Sequence, residues 1–147
     1  MEEKEEKKEV NVLDELNKGA CMGCDAIHFI MDKVKDEALK KELDTQYNEY
    51  LKIKEKISNL YPEYSDKEPH KTSAMNKIMT WYGIEMRTLS DETTSKIAEL
   101  LMQGTNMGII EGRRLLNQKD TLPDVEEIIN EYVSMQEHAV ERLKEFL

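Results

Sequence analysis

The sequence predicts an all-α protein, an antiparallel bundle of helices. Three observations predict it. Apolar residues recur in alternating steps of three and four along most of the chain, the period of one helix face. Helix breakers are scarce, with Gly at 6 and Pro at 3 in 147 residues. The abundant residues are Glu, Lys, Leu, Ile and Met, which favour or tolerate helix. A chain of this length fits one domain and can bury a core without disulfides.

The first ten residues are a charge run with no apolar period, so residues 1–10 read as a flexible arm and 11–147 as the domain. Helix 1 is expected from Val12 to Val34, with a core stripe of Leu13, Leu16, Ala20, Gly23, Ile27, Ile30 and Val34. Helix 2 follows after a short turn, from Glu37 to Leu60, with Leu39, Leu43, Gln46, Tyr50, Ile53, Ile57 and Leu60 inward. So short a junction makes helices 1 and 2 an antiparallel hairpin. Pro62 ends helix 2, and Tyr61 to Lys71 reads as a loop containing Pro69. A shorter helix 3, Ser73 to Leu89, carries Met75, Met79, Tyr82, Met86 and Leu89 on one line, with Ile78 and Trp81 beside it. Ser90-Asp91-Glu92 supplies an N-cap and an acidic first turn for helix 4, which runs to Asn117. Helix 5 restarts at Thr121-Leu122-Pro123-Asp124, where Pro suits a first turn, and runs to the C-terminus.

The chain also repeats itself. Gly19-Ala20-Cys21-Met22-Gly23 aligns with Gly104-Thr105-Asn106-Met107-Gly108 at an offset of 85 (104 − 19). The helix-2 stripe aligns with Val125, Ile129, Tyr132, Gln136, Ala139, Leu143 and Phe146 at 86 (132 − 46), one residue having entered the second turn. The order is hairpin, crossover, hairpin, with a connection long enough to return the chain to the far end of a bundle. Helices 1 and 4 carry Gly23, Gly108 and Gly112 on their inner stripes, at a cost of up to about 1 kcal/mol each relative to alanine. Either these helices approach closely at their glycines or bulky side chains sit opposite. Counted from the turns, Gly23 lies level with Tyr50 and Gly108 with Gln136, so the Tyr and Gln side chains are expected to fill the space.

Two similar hairpins joined by a long crossover resemble the ferritin-like four-helix bundles, an architectural resemblance that covers nearly all of the chain after the first ten residues. The resemblance implies four helices around a central site, which in some members holds two metal ions between a Glu on each of two helices and Glu-x-x-His on each of the others. This sequence has no Glu-x-x-His. Asp25-Ala26-Ile27-His28 is a near variant on the wrong helix, and Glu111 alone matches a ligand position. Helices 2 and 5 instead present Gln46, Tyr50, Tyr132 and Gln136, neutral groups that can hydrogen-bond one another.

A rival reading places a metal on helix 1. Cys21, Cys24 and His28 are spaced i, i+3, i+7 on one face, extended by Asn17 and Met31. Thiolate and imidazole suit zinc, copper or iron, and Glu111 or His138 could complete the set. A single C-x-x-C is a weak signal, however, and Cys21 lies too far inside its helix for thioredoxin-like chemistry.

Composition excludes other classes. A net charge of −10 without an uninterrupted basic run argues against nucleic-acid and anionic-membrane binding. No stretch reaches the roughly 18 apolar residues of a membrane span, and the charged start lacks a signal-peptide core. A soluble, cytoplasmic protein with reduced cysteines follows as the expectation. His70 and His138 read as surface histidines, Trp81 and Tyr82 as a seal at one end of the bundle or a contact surface, and Arg113 and Arg114 as partners of nearby acids. No catalytic constellation is evident. The expected function is therefore non-catalytic, acting on a protein partner or by self-association. No cofactor is expected under this reading. The alternative is a metal-binding or redox-sensing bundle holding Zn, Fe, Mn or Cu.

Overall fold

The computed structural model describes residues 2–67, 69, 76–118 and 120–147, with side chains described from residue 8 and, in the third helix, from residue 81. Among these all regular secondary structure is helical: α1 Glu2–Ile30, α2 Glu37–Leu60, α3 Asn76–Arg87, α4 Thr94–Leu116 and α5 Pro123–Leu143, with short 3-10 turns after α1, α2 and α5. His70, Met75 and the expected start of helix 3 at Ser73 fall outside the described residues, as do the side chains of Ile78 and Met79.

Local chemistry sets the element ends. Asp36 caps α2, its carboxylate accepting the Leu39 N–H at 2.9 Å. Thr93, rather than Ser90, caps α4 through the Lys96 N–H at 3.3 Å, and Asp91 instead accepts the Thr93 N–H at 3.0 Å. Pro123 opens α5 as expected. The chain is helical through the segment read as an arm, since α1 begins at Glu2. Glu9 is only 1% exposed and accepts the N–H of Leu122, the N-cap residue of α5, at 3.4 Å. A carboxylate at a helix start is favoured by the exposed N–H groups there.

The hairpins α1–α2 and α4–α5 each pack along their length. α2 lies against α5, α1 against α4, and α3 lies across α1 and α4. Lys33, just past α1, pairs with Glu92, just before α4, at 3.1 Å. At the opposite end, the Tyr64 hydroxyl just past α2 donates to Asp124 in the first turn of α5 at 3.0 Å. These ties make α1 antiparallel to α4 and α2 antiparallel to α5, and the crossover 61–93 carries the chain between the two ends. The inward stripes are buried as the period requires: Leu13, Leu16, Ile30, Leu39, Leu43, Ile57, Ile129 and Leu143 are closed to solvent. No described helix is long and apolar enough to cross a membrane.

Candidate functional site

The middle of the molecule is a layer of tyrosine, glutamine and glycine. Gly23 on α1 faces the ring of Tyr50 on α2, close enough that an added methyl would meet three ring atoms within 2.7 Å. Gly108 on α4 likewise faces the amide of Gln136 on α5. Tyr50 and Gln136 then meet, the hydroxyl donating to Oε1 at 3.4 Å, and the Gln136 amide nitrogen donates to the Tyr132 carbonyl at 3.2 Å. Tyr50 and Gln136 are themselves repeat partners, 86 residues apart. The bond therefore joins the two hairpins through equivalent positions, each seated on an equivalent glycine.

The inner glycines thus accommodate side chains rather than bringing α1 and α4 together at those positions. Gly19 and Gly112 both abut Tyr132, Gly112 with Val133 as well. Gly104 breaks the pattern. By the repeat its occupant should be Gln46, the counterpart of Tyr132, yet the ring of Tyr82 from α3 sits there. Gln46 is buried but turned aside, its Nε2 donating to Glu42 at 2.7 Å, and Glu42 in turn receives Arg142 Nε at 2.7 Å. The four expected polar residues therefore do not close on one another: three share the centre and Gln46 joins an ion-paired network with Arg142 and Glu49.

Tyr82 and Thr105 complete the layer. Tyr82, expected at one end of the bundle or on a contact surface, is 6% exposed and lies mid-bundle, with Trp81 stacked on it at 6.2 Å. Its place on the inward line of α3 was the available signal. Thr105 is buried with its hydroxyl donated to the Leu101 carbonyl at 2.7 Å, a bond internal to α4. Burial raises the phenols of Tyr50, Tyr82 and Tyr132 well above their ordinary value, so all three are neutral donors. A space of about 20 Å³, the size of one water, is left beside Tyr50, Tyr82, Thr105 and Gln136.

The helix-1 face is not gathered into a comparable cluster. Cys24 is buried, Cys21 half-buried and His28 exposed. Burial pushes the Cys24 thiol up to about 11 against the opposing pull of Lys54, so it is a neutral thiol at neutral pH. Glu111 pairs with Arg114 at 2.7 Å, and Arg113 with Glu137 at 2.8 Å, as expected for the two arginines. His138 is exposed and lines an open groove between α2 and α5. Among the described residues no three His, Cys, Asp or Glu side chains come together as a metal would require.

Comparison with protein-family models, curated proteins and solved structures finds no match to this chain.

Proposed function

We propose that this chain is a non-catalytic bundle of ferritin-like arrangement that acts through binding or assembly. The observation that carries the reading is the filled centre. Where a ferritin-like di-metal protein places carboxylates and histidines, this chain places Tyr50 and Gln136 on glycine seats, bonded to each other. Neutral phenols and an amide make poor ligands and poor general bases, while a satisfied polar pair holds two hairpins in register. The ferritin-like assignment is supported by the pairing of α1 with α4 and α2 with α5, by their opposed directions, and by the end-to-end crossover.

Elemental analysis of tag-free protein, purified without chelator under reducing conditions, tests the proposal. Folded protein with sub-stoichiometric transition metal is the expected result. About one zinc, iron, manganese or copper per chain, lost in Cys21→Ser/Cys24→Ser, would replace this reading with the metal-binding one.

A further inference from the structure

One groove on the surface adjoins the closed centre, sharing Met22, Ala26 and Tyr82 with it. It lies between α1 and α3, has a volume of about 240 Å³, and is floored by Met22, Ala26 and Met86. Its size falls below the ~300–1,000 Å³ of clefts that take drug-sized ligands. Phe29 on its rim is 44% exposed, and Ile84 on the adjoining turn of α3 is 52% exposed. Gly83 opens into it: an added methyl there would meet nothing within 4 Å, whereas each of the other five glycines faces a side chain. The rim carries one acid and one base, Asp25 and Arg87, both exposed and without an ion pair among the described residues.

Charge decides the occupant. Two copies of a chain at −10 repel overall, which favours contact where the local charge is balanced. The α2–α5 groove carries Glu49, Glu126, Glu127 and Glu131 against Arg142, and the groove beside Tyr61 carries Lys54 and Lys67. Each would meet its own sign across a two-fold axis. The α1–α3 groove carries one charge of each sign around an apolar floor, which makes it complementary to itself.

We propose that the α1–α3 groove is a two-fold interface with a second copy of this chain, in which Phe29 enters the facing groove and Asp25 pairs with Arg87 of the second copy. The proposal rests on the binding-or-assembly reading and names its partner. The two fail separately, because stoichiometric metal removes that reading, while a metal-free monomer removes only the self-contact.

Light scattering coupled to size exclusion, from micromolar to millimolar protein, is the test. Wild type should pass from monomer to dimer. Asp25→Arg and Arg87→Asp each place like charges opposite one another twice and should weaken association by at least about tenfold. Mixed in equal amounts, the two variants should pair with each other, since every contact is then Arg against Asp. Both positions are exposed, so circular dichroism should be unchanged. A wild-type monomer throughout, a dimer or larger species indifferent to either reversal, or single variants that fail to pair when mixed would each overturn the proposal.

Discussion

At the residue scale the central layer turns on what each glycine faces. At Gly23 an added methyl meets the stiff ring of Tyr50 within 2.7 Å, and the ring is buried and hydrogen-bonded. Gly23→Ala should therefore destabilise the fold by about 1–3 kcal/mol despite alanine's better helix propensity. At Gly108 the obstacle is the amide end of Gln136, the far end of a flexible side chain. It can shift at the cost of its weak 3.4 Å bond to Tyr50, a loss that alanine's helix propensity offsets, so Gly108→Ala should stay within about 1 kcal/mol of wild type. Gly83 meets nothing, and Gly83→Ala should gain up to about 1 kcal/mol. Chemical denaturation at low protein concentration ranks the three; equal losses at Gly23 and Gly83 would mean the seats are not specific. The Tyr50–Gln136 bond has its own check. Tyr50→Phe and Gln136→Met should each cost about 1 kcal/mol, and the double variant less than their sum, because removing both partners strands neither. The Gly23–Tyr50 and Gly108–Gln136 pairings are legible in the sequence, since helical rise counted from each turn fixes which residues share a level.

At the element scale α3 is what distinguishes the two halves. It delivers Tyr82 to Gly104, the seat that repeat symmetry assigns to Gln46, and Gln46 turns to Glu42. Tyr82→Ala should leave a cavity mid-bundle and cost about 3 kcal/mol or more. Amide hydrogen exchange should rise first across α3, with α1 and α2 still protected; unchanged exchange in α3 would mean that Tyr82 does not anchor it. The hairpins are readable because periodicity, turn length and capping are local signals, and Asp36 and Pro123 do what their types predict. The docking of α3 is not readable in the same way. Its apolar line says only that one face is inward, and which gap it fills depends on residues twenty or more positions away. The helical run through residues 2–10 is hidden for a related reason. No apolar period marks it, and burial of Glu9 depends on the start of α5, 113 residues on.

At the scale of the whole molecule the tyrosines tie stability to high pH. Tyr50, Tyr82 and Tyr132 are raised chiefly by burial. Burial and then the Asp14 carboxylate, 2.8 Å away, raise Tyr61 to about 12, and burial with Asp124 raises Tyr64 further. An unfolded phenol ionises near 10. Every one of these groups thus has a folded value above its unfolded one, so the folded state holds protons that the unfolded state releases. Their stabilisation is complete below about pH 10 and is lost as pH climbs through the folded values. Four of them sit at hairpin contacts or at the end ties, and Tyr82 joins α3 to the centre, so the loss should be cooperative across the bundle. Alkaline titration followed by phenolate absorbance and circular dichroism together tests this. Helix content should hold to about pH 10 and then fall in one transition, with most of the phenolate signal appearing in that same transition. Five phenolates forming while the helix signal is intact would show that the tyrosines are open to solvent, and the closed neutral centre that carries the proposed function would have to be abandoned.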